Sequence, residues 1–294
     1  MKILNFASMN LDIVYDVQDI VGPGETISSL KRELFCGGKG LNQSIALAKA
    51  GAVVYHAGCI GIDGDILRQL LDENGVDTRF VRKVPGPSGH AMIQVDKNGQ
   101  NSIVLFGGAN QMITREFVDE VLQHFSSEDM VLLQNEINEL PYIMNQASRK
   151  GMKIAFNPSP FNSQIKECPL EKVTYFILNE IEGAEIAGTK EKDKILQYMR
   201  KNYPQSQVIL TLGSAGSMYD NGNEVFTQKI YKVKAVDTTG AGDTFLGYFL
   251  ANIESQLPQE ALKIAALASA VAVSRKGAAN SIPALDELEV LECL

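Results

Sequence analysis

Short apolar runs of strand length alternate along most of this chain with segments whose apolar residues recur at helical spacing, and few architectures accommodate that rhythm. It is the signature of helices packed on a mostly parallel sheet. In the middle of the chain Phe117, Val118, Val121, Leu122 and Phe125 form one helical face, MVLLQN follows as a buried strand, and Pro141 stands near the first turn of the next helix. KIAFN is another strand. TYFILN and QVILTLG repeat the pattern, separated by a charged helical stretch that contains Ile195, Leu196, Met199 and Tyr203. With 294 residues, 45% of them hydrophobic, and no internal repeat or low-complexity linker, the expectation is a single α/β domain over residues 1–294. Two stretches break the rhythm. Residues 13–36 and about 79–106 read as extended, with turn signals at Pro23-Gly24 and Asn98-Gly99 and a hairpin-like AMIQVDKNGQNSIVLF. They predict a small β-sheet outside the main layer, acting as a lid or a dimer interface, because so small a sheet must pack on something.

Composition excludes several functions. Lys and Arg total 27 against 35 Asp and Glu, a net charge of −8, which argues against nucleic acid as a partner. The run AALASAV at 265–271 is far shorter than the roughly 18 residues of a membrane span. MKILNFASMNLDIV is not a signal peptide, so a cytoplasmic protein is expected. Cys36, Cys59, Cys168 and Cys293 form no CxxC pair, and His56, His90 and His124 lack metal-ligand spacing; neither a disulfide framework nor a zinc site is expected.

The chemistry concentrates in two glycine-rich helix entrances. In DTTGAGDTFLGYFLANI, Phe245, Leu246, Phe249, Leu250 and Ile253 keep helical spacing, so Gly240, Ala241 and Gly242 stand at the entrance. Bare backbone N–H groups there, with the positive end of the helix dipole, form a site for an anion such as a phosphate in transfer. Asp243 then lies in the first turn beside the anion, although an aspartate at that position can equally serve its own helix. CGGKGLNQSIALAKAGA has the same form, with Leu41, Ile45 and Ala48 on one face and Gly51 at the end. It is not a Walker A loop, because Gly40 follows Lys39 and Glu33 occupies the upstream glycine position. Nor is either segment GxGxxG: the third glycine is replaced by Gln43 in one and Phe245 in the other. Glycines beside Lys39 and Asn42 admit a polyol to the backbone, or simply start a helix tightly. Asn10 and Asp12, after the strand ILNFA, and Glu136, after MVLLQN, fall beyond the carboxyl ends of strands, where open α/β sheets bind ligands.

Asn10-x-Asp12, PGET at 23–26, GGKGLNQ at 37–43, GAN at 108–110, Asn179-x-x-Glu182, TLGSAG at 211–216, DTTGAGD at 237–243 and SRKGA at 274–278 occur in one chain. Together they resemble the ribokinase/PfkB family of carbohydrate kinases over nearly the whole length. The resemblance implies a ribokinase-like three-layer αβα sandwich with a mostly parallel central sheet and a β lid that often joins two subunits. It also implies ATP-dependent transfer of the γ-phosphoryl group to a sugar hydroxyl. Asp243 would be the general base, and Gly240, Ala241 and Gly242 the anion hole. Asn10, Asp12, Gly38, Lys39, Asn42 and Glu136 would hold the sugar. Asn179, Thr211, Gly213, Ser214, Gly216 and Gly242 would meet the nucleotide, Glu182 would organise Mg2+ through water, and a K+ site would map onto Asp237 and Thr239 with the loop of Lys276, Ala278 and Ser281.

The six sugar-site positions look like those of the ribokinase branch of the family, and the resemblance implies D-ribose, phosphorylated at its terminal hydroxyl, as acceptor. His90 and Met92 stand where such lids usually carry smaller apolar residues and are expected to reshape the pocket roof. That leaves open another pentose, a ketohexose, or a nucleoside whose base would need an aromatic slot from Phe80 or Phe106. A non-catalytic sugar-binding protein on the same fold is a further alternative. The acidic LDELEVLECL at the end is expected to form a surface helix.

Overall fold

The computed structural model describes residues 1–288; Cys293 and the rest of the acidic C-terminal stretch from 289 lie outside the described residues. The chain opens with β1 (Lys2–Phe6), β2 (Asn10–Asp16) and β3 (Lys31–Gly37), followed by α1 (Lys39–Lys49), β4 (Val53–Ile60), α2 (Asp65–Glu73) and β5 (Asp77–Lys83). Strands β6 (Gly89–Val95) and β7 (Asn101–Phe106) form a hairpin, after which come α3 (Arg115–Leu122), β8 (Met130–Gln134), α4 (Leu140–Arg149) and β9 (Lys153–Asn157). The remainder runs β10 (Tyr175–Asn179), α5 (Glu180–Ala187), α6 (Lys192–Asn202), β11 (Gln207–Thr211), β12 (Ser217–Asp220), β13 (Val225–Gln228), α7 (Ala241–Asn252) and α8 (Pro258–Val273).

Nine strands form one sheet in the order β13-β12-β11-β10-β9-β8-β1-β4-β5. Pairing is parallel from β11 to β5, and only β12 runs the other way, antiparallel to both β11 and β13. The central runs are apolar at consecutive positions because both faces are covered. Leu4, Phe6, Val131, Leu133 and Phe156 point to one face and meet Phe117 of α3, Ile143 of α4 and Ile195 of α6. The alternate residues Ile3, Met130, Leu132, Ala155 and Ile177 point to the other, against Ile45 of α1, Leu67 of α2, Phe249 of α7 and Leu267 of α8. This is the expected three-layer sandwich. No helix among the described residues is long and apolar enough to cross a membrane.

The small sheet has four strands in the order β3-β2-β6-β7, with β2 and β6 parallel. Two expected boundaries are corrected. The first portion of the small sheet begins at Asn10 rather than at 13, because β2 pairs with β3 from Asn10 onward. Residues 79–83 belong to β5 at the edge of the large sheet, paired with β4, so the second portion of the small sheet begins at Gly89. An extended segment reads alike in either sheet; its partner decides.

Helices α1 and α7 lie on the same face and touch closely at Gly247. A Cβ at that position would stand 2.4 Å from the Ala46 Cβ and 2.8 Å from the Leu47 backbone nitrogen. The second obstacle is backbone, so rotamer changes cannot relieve it. Gly247→Ala is therefore expected to lower unfolding free energy by about 1–3 kcal/mol, the usual cost of overpacking, measured by urea denaturation; an unchanged midpoint would show that the two helices separate freely.

Candidate active site

Helix α7 begins at Gly240, whose φ of 73° is left-handed and suits glycine, and which supplies no side-chain cap. Gly240 presses on the neighbouring loop, where a Cβ would lie 3.2 Å from the Ala278 Cα, while a Cβ at Gly242 would meet nothing within 4 Å. The first turn is thus open on one side, and its N–H groups lack intrahelical acceptors. Asp243, 8% exposed, does not spend its carboxylate on its own helix. Asn42 Nδ2 donates to Oδ2 at 3.1 Å and Gln43 Nε2 to Oδ1 at 2.8 Å, both from α1. The buried Asn42 Oδ1 has no protein partner, an acceptor left for a ligand.

Helix α1 starts at Gly38, with φ 93° and again no side-chain cap. Its cap comes from elsewhere: Lys39 N donates to Glu136 Oε2 at 3.1 Å, and the same oxygen accepts from the Ser8 hydroxyl. Gly37 and Gly89 leave room for the polar side chains of β2. A Cβ on Gly37 would lie 1.9 Å from Asp12 Oδ2, and one on Gly89 would lie 2.3 Å from Asn10 Oδ1. Asn110 of the GAN motif orients Asn10, donating from Nδ2 to its Oδ1 at 2.7 Å while accepting from Met9 N at 3.0 Å. Sequence reasoning assigned Asn110 no role, because the pairing spans a hundred residues.

These groups share one electrostatic environment. Burial and the Glu136 charge push the Asp12 carboxyl up to about 6. Burial likewise raises Glu136, aided by Asp243 and opposed by Ser8 and Lys39. For Lys39 burial disfavours the charge, but the carboxylates of Asp243, Glu136 and Glu182 outweigh it and hold the ammonium above its ordinary pKa.

The roof differs from the expectation. Register partners share a face, and Asn10 and Asp12 stand beside Gly89 and Ala91, then Leu105. His90 and Met92 therefore point to the opposite face, where the His90 ring lies 5.0 Å from that of Phe106 and Met92 is 47% exposed. Ala91 and Leu105 are the residues that share the face of Asn10 and Asp12. Neither proposed base slot survives: Phe106 is on the outer face, and Phe80 is buried with Tyr55 and Phe125 in the core on the α3 side of the large sheet.

On the other side of Asp243, Asn179 and Glu182 form a reciprocal cap at the start of α5. Asn179 Oδ1 accepts from Ile181 N and Glu182 N at 2.9 Å, and the Glu182 carboxylate accepts from Asn179 N at 3.0 Å and Nδ2 at 2.9 Å. Both border a cleft of about 550 Å³ that Asn162, Ser163 and Lys166 also line. Thr211 is the register partner of Asn179, and the next turn bends through Gly213 (φ 51°) and exposed Ser214 to Gly216 (φ 96°). A Cβ on Gly216 would stand 2.1 Å from Gln228 O. Among the described residues no cluster of three or more His, Cys, Asp or Glu could hold a metal. The engaged carboxylate of Glu182 fits a hold through water on Mg2+, an ion that keeps waters and substrate phosphates as ligands.

Asp237 Oδ1 accepts from Thr239 N at 2.9 Å and Thr239 Oγ1 at 2.6 Å, and Oδ2 accepts from Gly277 N at 3.0 Å. Burial would raise its pKa, but these bonds and the Lys276 charge leave it below the ordinary value. Ser281 Oγ donates to Ala278 O at 2.7 Å within its own loop, and the Gly277 N–H on Asp237 with the Gly240–Ala278 contact brings that loop to the Asp237 loop at the entrance of α7.

The family model described as pfkB family carbohydrate kinase matches residues 2–285. Ribokinase of Haemophilus influenzae is 33% identical, over 97% of this chain and 96% of its own length. Ribokinase of Schizosaccharomyces pombe is 35% identical, over 98% and 96% respectively. The solved structure of Arabidopsis thaliana ribokinase complexed with ribose and ATP superposes with a TM-score of 0.88 at 30% identity, covering 99% of this chain and 98% of that one. Likeness of this extent, on a fold whose helix entrances converge as described, means that the chain belongs to the pfkB family of carbohydrate kinases, which phosphorylate a sugar hydroxyl.

Proposed function

We propose that this protein transfers the γ-phosphoryl group of ATP to the terminal hydroxyl of D-ribose. The observation that carries the reading is the convergence of Asn10, Asp12, Lys39, Asn42, Glu136 and Asp243 beside the open first turn of α7. Asn10 and Asp12 accept the sugar diol from the small sheet, Gly38 lets it approach the backbone, and the free Asn42 Oδ1 and the capping Glu136 complete the hold. Asp243 takes the hydroxyl proton, and the N–H groups of Gly240, Ala241 and Gly242 with the helix dipole stabilise the transferring group. Phosphoryl transfer asks a protein chiefly to align reactants and balance charge, and this arrangement does both.

Asn179, Thr211, Gly213, Ser214 and Gly216, with Gly242, form the nucleotide side. Glu182 would hold Mg2+ through water, and the ion would supply charge neutralisation on the phosphates. K+ in the loop of Asp237, Thr239, Lys276, Ala278 and Ser281 would brace the entrance of α7 from outside the reacting centre. The protein is read as one cytoplasmic domain whose small sheet closes over the sugar. Its outward apolar residues Leu34, Met92, Val104 and Phe106 favour a homodimer through that sheet.

Purified protein with ATP, Mg2+ and K+ is expected to form ADP on addition of D-ribose and not without it; silence with ribose and with a panel of other sugars sinks the kinase reading. Asp243→Ala should lower kcat by about a hundredfold or more, and unchanged turnover would remove Asp243 as the base. Because Asp12 must be ionised to accept hydrogen bonds from two hydroxyls, and burial pushes its carboxyl up to about 6, KM for ribose should rise as pH falls below about 6, by up to about tenfold at pH 5. Asp12→Asn should abolish most of that dependence, and a wild-type KM flat from pH 5 to 7.5 would contradict it. Turnover in buffer free of Na+ and K+ should increase on adding K+; equal rates would eliminate the cation site.

A further inference from the structure

On the α1 face of the large sheet, the carboxyl ends of neighbouring strands present buried amides. Asn5 of β1, Gln134 of β8 and Asn157 of β9 lie beneath Gln43 of α1, and none of the four is more than 9% exposed. Gln134 Nε2 donates to Asn5 Oδ1 at 2.9 Å and to Gln43 Oε1 at 2.7 Å. Gln43 Nε2 donates to Asp243 Oδ1 at 2.8 Å and to Asn157 Oδ1 at 3.3 Å. Asn157 Nδ2 donates to Ile177 O at 2.9 Å and, at a long 3.5 Å, to Glu182 Oε2. The network admits one orientation of Gln43. Turning its amide over would set a carbonyl against the Asp243 carboxylate and an NH2 against the NH2 of Gln134.

A base must present one oxygen to the sugar hydroxyl, yet a carboxylate turns about its own bond to Cβ. Asn42 on Oδ2 and Gln43 on Oδ1 hold it from two sides. Asn42 retains an unpartnered oxygen for a ligand, whereas Gln43 is wholly buried and both its polar atoms are engaged. We propose that Gln43 is a positioning residue for phosphoryl transfer: one N–H fixes the Asp243 carboxylate, and the other, through Asn157, ties it to Glu182 on the nucleotide side. The proposal rests on the reading of Asp243 as the base of a sugar kinase. Only an amide serves here. A carboxylate at this place accepts from Gln134 but cannot donate to Asp243, and an apolar side chain does neither.

The test is steady-state kinetics with ribose, ATP and Mg2+ in a double-mutant cycle. Gln43→Met, similar in length and volume, should lower kcat about 10- to 100-fold, the range expected when a reacting group is misplaced by about 1 Å, with KM for ribose nearly unchanged. Gln43→Glu keeps the bond from Gln134 and places a second carboxyl against Asp243; its kcat should fall at least as far. In an Asp243→Ala background, Gln43→Met should cost less than about twofold, because a residue acting through Asp243 has nothing left to position. Retention of kcat within about twofold of wild type by Gln43→Met, or an equal loss with and without Asp243, would overturn the proposal. Circular dichroism melting checks that each variant folds, and Gln43→Glu carries the test if Gln43→Met does not. Wild-type protein silent with ribose and with the panel of other sugars would instead overturn the kinase reading.

Discussion

Helices α1 and α7 both begin at an uncapped glycine, and the close approach of their bodies at Gly247 and Ala46 sets where those two beginnings lie. One turn before that contact, Asn42 and Gln43 face Asp243. The Asp243 carboxylate is therefore located by a packing contact between helices far apart in sequence, not by its own loop. Each entrance is completed from outside: Glu136, from the loop after β8, supplies the cap of α1, and the Ala278 loop braces α7. The site inherits the rigidity of the α1–α7 layer because its donors are first-turn residues of packed helices.

Charge is the second organising constraint. Glu136, Asp243 and Glu182 lie around Lys39, Asp12 feels the Glu136 charge, and burial raises Asp12 and Glu136 toward protonation. Such a cluster is poorly balanced without ligands and is relieved by hydroxyl donors and cations. Acid groups that look like an obstacle to a polyphosphate thereby become a reason for it to arrive with Mg2+.

Much of the fold was legible because strands covered on both faces leave consecutive apolar residues, as in MVLLQ and YFILN. The two helix entrances were legible because glycines followed by helical periodicity leave few other interpretations. What escaped was whatever depends on pairing. Residues 79–83 were extended in either sheet and only β4 as a neighbour decided between them. His90 and Met92 were placed on the wrong face because strand parity is invisible until register is known. Asn110 and Gln43 were passed over since an amide has no signature of its own; its role is defined by partners distant in sequence. The Asn179–Glu182 motif shows the converse: two residues chosen for chemistry also satisfy the backbone at the start of α5.

The small sheet has one more implication. Asn10 and Asp12 ride on β2, whereas Lys39, Asn42 and Asp243 belong to helices of the main body. Under the proposed function, the groups that hold the sugar are thus divided between two parts of the chain. Any displacement of one part relative to the other dismantles the binding site, and a molecule that bridges them favours the apposed arrangement by its whole difference in affinity. Sugar occupancy and sheet position are in that sense a single thermodynamic variable. A substitution in the strands that touches no sugar atom can still set how tightly sugar is held, simply by changing how often the two halves of the site meet.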